Sequence, residues 1–247
     1  TKEGNIAGPK VLEHLVDTVM HLEGEPASGY RILRSTKNRF GSTGEIGVFA
    51  MHGHGLVDVP NPSAVFLENE RLDNEGSAVS VSIEGSRPML IEIQALVGKT
   101  TFSSPRRLAT GFDTNRFTIL LAVLEKRAGL YLSQFDVYAN VTGGFKIFEP
   151  AIDLATAAAV ASSLFGKPLP GKIAFFGEVG LSGEVRMTAH AVLRIQEAQK
   201  LGFEKVYIPA KNFRLEQEQI LKAIEKGNKD IEVIPIGNVT EVMQIDY

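Results

Sequence analysis

The sequence contains no cysteine among its 247 residues. Disulfides and thiolate metal sites are therefore excluded within them, in keeping with a reducing compartment. Long apolar runs are missing as well. The longest, "LATAAAVASSLFG" at 154 to 166, is too short and too rich in Ala and Ser to span a bilayer. No basic-then-apolar leader opens the chain, so the expectation is a cytoplasmic protein with no membrane partner. Charge of one sign is also lacking: the net charge is -3 with 22% charged residues, which excludes a histone-like basic domain and leaves room only for a local basic patch. The chain opens at Thr1 in "TKEGNIAGPK" and reads as the later part of something longer.

What is present is an ordinary globular composition, 44% hydrophobic, in a length that favours two units over one. The first seventy residues predict a short helix near Pro9 to Leu15, then strands in "DTVMHLEG", "YRILRST", "IGVFAM" and "GLVDV", each closed by turn formers. The polar stretch "ENERLDNEGSA" marks a linker, placed at 68–77 between units at 1–67 and 78–247. Beyond it, "AVSVSIEG" and "MLIEIQALV" alternate as a hairpin. Phe117, Leu120, Leu121 and Leu124 recur at helical spacing before Gly129. Then come a strand "FDVYANVTG", a small-residue helix after Pro150 and a buried strand "KIAFFGEVG". Helix "AHAVLRIQEAQKLG", strand "KVYIP", helix "LEQEQILKAIEKG", strand "IEVIPI" and a short terminal helix complete the order. Strands and helices alternate, so the fold class is α/β and α+β.

"RSTKNRFGSTGEIG" at 34 to 47 holds two cations two positions apart. On an extended segment Lys37 and Arg39 point the same way, Asn38 turns away, and Phe40 anchors the base ahead of Gly41. Convergent cations repel unless an anion sits between them, and the terminal phosphates of a nucleotide would supply one. Spacing alone leaves a solvated basic hairpin as the other reading. "KNRFG" at 37 to 41, preceded by "GPKVLEHLVDTVMHLEGE", resembles the signature of the bacterial RadA (Sms) family of RecA-like ATPases. That resemblance implies DNA repair and recombination, with ATP and Mg²⁺ bound between subunits and Lys37 and Arg39 reaching in trans to the neighbour's γ-phosphate. It further implies a homo-hexamer, single-stranded or branched DNA and a RecA-type recombinase as partners, and a place at the nucleoid. Lys2 in "TKEG" matches the family without a role that chemistry assigns.

"VGKTT" at 97 to 101 has the tail of a phosphate-binding loop, but GxxxxGK[ST] needs a glycine where Ile93 stands, so Lys99 reads as an ordinary lysine. No other such pattern occurs in the chain. The resemblance implies that the phosphate-binding loop and a four-cysteine zinc finger lie ahead of Thr1, which leaves these residues without a complete ATPase site.

From Gly144 onward, "FEPAIDLATAAAVASSLFGKPLPGKIAFFGEVGLSGEVR" and "AVLRIQEAQKLGFEKVYIPAKN" resemble the Lon protease domain, including Gly177, Glu178 and Gly183. Lon-type peptidases pair a Ser nucleophile with a Lys base. At those positions stand Ala151 and Arg194. Alanine has no attacking atom, and a guanidinium stays protonated at neutral pH, so a peptidase is not expected. Asp153, Thr156, Ser162 and Ser163 nearby read as capping or packing residues. The resemblance implies instead a ring-forming, DNA-holding scaffold, with Arg106, Arg107 and Arg116 as candidates for backbone phosphates or for acids on a neighbouring subunit. His52 and His54 lack a third ligand nearby and read as a surface turn.

Overall fold

The computed structural model describes residues 10–24, 29–43, 45–63, 67, 74–144, 146–227 and 230–245. They divide into two compact units, one of residues 1–60 with 84–87 and the other of 61–83 with 88–247. The division comes at Pro60, and most of the expected linker, 68–73, lies outside the described residues, as does Lys2.

In the first unit a six-residue helix α1 (Lys10–Leu15) leads into four strands, β1 (Thr18–Glu23), β2 (Tyr30–Asn38), β3 (Ile46–His52) and β4 (Gly55–Asp58). They form an antiparallel meander in the order β1-β2-β3-β4. Strand period two buries Ile32 on β2 with Ile46 and Val48 on β3, and a bulge between Val19 and Met20 shifts the β1 register. The strand containing "YRILRST" continues two residues further than expected, so Lys37 and Asn38 are strand residues.

The second unit carries a seven-stranded mixed sheet. Its strands are β5 (Ser77–Glu84), β6 (Arg87–Lys99), β7 (Arg107–Thr110), β8 (Phe135–Val141), β9 (Ile173–Phe175), β12 (Lys205–Pro209) and β13 (Glu232–Ile236). The order is β13-β12-β9-β5-β6-β8-β7, parallel through β13, β12, β9 and β5, with β6 antiparallel to β8 and β7 parallel to β8. A two-stranded ribbon pairs β10 (Glu178–Val179) with β11 (Val185–Arg186). The expected single strand "KIAFFGEVG" is thus two strands, broken at Phe176–Gly177. There the Gly177 amide donates to Ala151 and its carbonyl accepts from Leu154, and a Cβ would come within 2.8 Å of Val185.

Helix α2 (Thr114–Arg127) starts on Asp113, whose carboxylate accepts from the Arg116 amide, and ends with Lys126 and Arg127 complementing its dipole. Helix α3 (Asp153–Phe165) follows a 3₁₀ turn at Pro150–Ile152 and is buried from Asp153 through Ser162. Its alanines permit that close packing, and Gly166 at φ 64° closes it in the left-handed conformation. Helix α4 (Ala191–Lys200) packs on helix α5 (Ala210–Lys226), which begins ahead of the expected "LEQEQILKAIEKG". The expected terminal helix is a 3₁₀ segment, Val239–Gln244, held by a capping box between Asn238 and Glu241. The core gathers Val79, Val81, Leu90, Phe176, Ile195 and Ile208, with Ala151 among them. No helix of the described residues is long and apolar enough to cross a membrane.

Candidate functional site

Of the two positions that the resemblance to Lon-type peptidases singled out, Ala151 lies in the core and Arg194 in an ion-pair network. Ala151 lies on the 3₁₀ turn that Pro150 opens, and it is buried in the core. Arg194, on α4, is fully buried. An arginine cannot shed its charge, so each of its donors needs a partner indoors. Nε donates to the Ala189 carbonyl at 3.0 Å and Nη1 to the Val81 carbonyl at 2.5 Å. Both terminal nitrogens reach the Glu149 carboxylate, Nη1 to Oε2 at 3.1 Å and Nη2 to Oε1 in a short contact. Glu149 Oε2 also accepts from Ser82 Oγ at 2.8 Å and the Ile83 amide at 2.7 Å. The Phe176 ring lies 5.4 Å from the guanidinium carbon. Glu149 was not read from the sequence as a member of this site. Its place immediately before the turn bearing Ala151 was visible, but its role follows from the burial of Arg194, which only the folded chain shows.

A second charged cluster joins α2 to the start of α3. Arg116 grips Asp153 in a fork, Nε to Oδ1 at 2.8 Å and Nη2 to Oδ2 at 2.5 Å, and the Val179 amide adds a third bond at 3.0 Å. Glu178 stands 3.7 Å from Arg116 and 3.6 Å from Arg186, which in turn holds Glu184 at 2.7 Å. Arg116, Asp153, Glu178 and Arg186 border a cavity of about 410 Å³ that Ile119 and Leu181 also line. Burial pushes the Asp153 carboxyl up against the pull of Arg116 and the Val179 amide, while its hydrogen bond to Asp153 holds the Arg116 guanidinium above its ordinary value. Thr156, Ser162 and Ser163 bond to backbone groups: Thr156 donates to the Ile152 carbonyl, Ser162 accepts from the Gly76 amide, and Ser163 accepts from the Val97 amide.

The "KNRFG" stretch ends β2. Lys37 Nζ donates to the Glu13 carbonyl at 2.7 Å and the His14 carbonyl at 3.3 Å, so it sits on the C-terminal end of α1. Arg39 Nη1 pairs with Asp17 Oδ1 at 3.0 Å, and both side chains are largely exposed. Asn38 shapes the turn, accepting from the Phe40 amide and donating to Ser42. Phe40 does not anchor the loop as expected: its side chain is 83% exposed, because the Asn38 turn carries it out of the sheet.

At one end of the large sheet, Arg107 lies in β7 with its guanidinium on the carbonyls of Phe135 at 2.7 Å and Leu132 at 2.8 Å. Arg106 is exposed, and its guanidinium stacks over Phe102, 3.8 Å from the ring centroid. Phe112 meets buried Phe117 edge-on at 5.6 Å, which leaves Phe102 as the solvent-facing aromatic of the three near this cluster. Lys99 ends the continuous strand β6, with no glycine-rich turn into a helix. His52 and His54 stack at 5.5 Å on the exposed β3–β4 hairpin, and no group of three metal-ligating side chains occurs among the described residues.

This arrangement, a mixed sheet flanked by a small-residue helix after Pro150 and a ribbon at Glu178, is that of a Lon protease-like domain. The family model of the Lon protease (S16) C-terminal proteolytic domain matches residues 133–246. Over almost its full length the chain is a homologue of proteins named DNA repair protein RadA. It is 51% identical to that of Bacillus subtilis (strain 168) over 244 residues and 50% identical to that of Listeria monocytogenes over 249, in each case covering 99% of the chain and 51% of the relative. Against the Streptococcus pyogenes serotype M1 protein of the same name it is 58% identical over 244 residues, covering 98% and 52%. The chain therefore spans about half the length of these curated relatives.

Proposed function

We propose that this chain serves in DNA repair as the assembling and DNA-holding part of an ATP-driven motor that moves branched recombination intermediates. The observation that carries this reading is the continuous match, across 99% of the chain, to proteins named DNA repair protein RadA. In this reading ATP with Mg²⁺ is bound chiefly by residues outside this sequence, and Lys37 and Arg39 reach the γ-phosphate of a neighbouring copy in a homo-hexamer. Their existing partners are compatible with that role. Helix-end carbonyls and an exposed aspartate hold a cation by about 1 kcal/mol or less, and a triphosphate offers far more charge. Arg106 is the phosphate candidate with the freer guanidinium, whereas Arg107 and Arg116 already hold carbonyls and Asp153. A RecA-type recombinase is the expected partner.

A second reading, a non-catalytic ring and DNA-binding scaffold, is favoured by the buried Glu149–Arg194 network at the dyad positions. The two readings separate by experiment. In a full-length parent, Lys37→Ala or Arg39→Ala abolishes ATP-coupled branch migration if the motor reading holds. Wild-type turnover and migration in both variants would leave only the scaffold.

A further inference from the structure

The Phe102–Arg106 stack has the form of a binding surface. Two loops meet at that end of the sheet, 100–106 and 128–134, joined by the Thr100 amide on the Gln134 carbonyl at 3.0 Å and by the Arg107 fork on Leu132 and Phe135. Between Lys99 and Arg107, and again between Ala128 and Phe135, the sequence has no acidic residue, while Lys99, Arg106 and Arg107 are cationic. Each loop exposes an aromatic ring: Phe102 is 50% exposed and Tyr131 is 82% exposed. Tyr131 buries little of its ring in this fold, and half of Phe102 stays open to solvent beside the Arg106 guanidinium.

Arg106 is fixed from behind. Its amide donates to Asp136 Oδ1 at 2.7 Å and its carbonyl accepts from Val137 at 2.9 Å, while the Phe102 amide is held by Thr100 Oγ1 at 3.1 Å. The guanidinium carbon therefore lies over the Phe102 ring, 3.8 Å from its centroid, and the group makes no ion pair among the described residues. Guanidinium and phenyl planes stacked in this way accept a further flat π-system, and the guanidinium edge retains N–H donors for phosphate. A duplex hides the faces of its bases in its own stack, whereas unpaired bases offer them.

We propose that Phe102, Arg106 and Tyr131 form a nucleobase-stacking platform for single-stranded DNA. The platform rests on the DNA-binding reading above and adds to it the chemistry of contact: bases on rings, with phosphate held at the guanidinium edge.

The chain has no tryptophan, so Phe102→Trp places a single reporter at the site. Binding of a labelled oligothymidine is followed by anisotropy, and emission at position 102 is followed in parallel. Expected are quenching of that emission on binding, weakening by about tenfold in Phe102→Ala with the salt slope unchanged, weakening in Tyr131→Ala, and failure of an abasic oligomer to quench. If the oligomer binds but the emission does not change and Phe102→Ala binds as wild type does, the platform is overturned while DNA binding stands. If wild-type chain binds neither oligothymidine nor the abasic strand, the DNA-binding reading of this chain falls, and the platform with it.

Discussion

Arg194 turns both terminal nitrogens of its guanidinium onto the two oxygens of Glu149, inside a domain whose relatives by fold carry out peptide hydrolysis. The pair links the start of α4 to the turn that precedes α3, and Ser82 Oγ and the Ile83 amide tie the same carboxylate to β5. The pair is a brace between three elements.

Placing Ser at position 151 and Lys at position 194 is not expected to create a peptidase. In the double variant Ala151→Ser, Arg194→Lys, the new ammonium meets Glu149, and a carboxylate beside an ammonium favours the charged form, which cannot take a proton from a hydroxyl. The expected outcome is no labelling by an electrophilic serine probe and no cleavage of a fluorogenic peptide. Labelling at position 151 would show that the brace does not block the chemistry.

Breaking the brace on one side leaves a buried charge behind. Glu149→Ala strands Arg194, which is fully buried, and the expected loss is about 3 kcal/mol or more of folding stability, measured by urea unfolding. Arg194→Met removes the charge but leaves Glu149, whose side chain is 21% exposed and so retains some water. The expected loss there is smaller, about 2 kcal/mol. Equal losses in the two variants would argue that packing, not charge, dominates the site.

Arg116→Ala acts through Asp153 and depends on pH. Burial already raises the Asp153 carboxyl, and without its guanidinium partner it rises further. A carboxyl raised in the folded state favours folding below its unfolded value, and that contribution is lost as pH climbs through the folded value. The variant is therefore most destabilised at neutral pH, by about 2 kcal/mol since Arg116 is 35% exposed and shares its charge with water. It recovers towards wild type as the pH falls through the folded pKa and Asp153 protonates. A deficit that does not change between neutral and acid pH would assign the loss to packing.

Much of the fold was legible because it rests on local signals. Leucines at helical spacing announced α2, Pro150 announced the turn into α3, and alternation announced the β5–β6 hairpin. The split of "KIAFFGEVG" was not legible, since the Gly177 backbone breaks the strand to bond Ala151 and Leu154, residues more than twenty positions away. Ala151 and Arg194 were singled out from the sequence, but the role of Glu149 could not be, because it follows from where Arg194 is buried. Phe102 and Phe112 look alike in sequence. Only the folded chain sets Phe112 against Phe117 and leaves Phe102 in solvent beneath Arg106.

Arg106 and Arg107 are neighbours in sequence with different surroundings, and on the proposed DNA-binding reading a salt series separates them. Arg106→Ala removes an exposed cation without loosening the backbone, so the expected outcome on that reading is weaker single-stranded DNA binding with the slope of log affinity against log salt lower by about one. Arg107→Ala removes two hydrogen bonds to the Leu132 and Phe135 carbonyls, and the expected loss is about 2 kcal/mol of stability. Its effect on DNA is then indirect, appearing as weaker binding with little change in slope. Arg106→Lys keeps the charge but loses the flat stack on Phe102, so it should retain the slope and bind more weakly than wild type. Identical behaviour of the Lys and Ala variants at position 106 would mean that the plane of the guanidinium is irrelevant, and a slope change in Arg107→Ala as large as in Arg106→Ala would mean that both arginines meet phosphate.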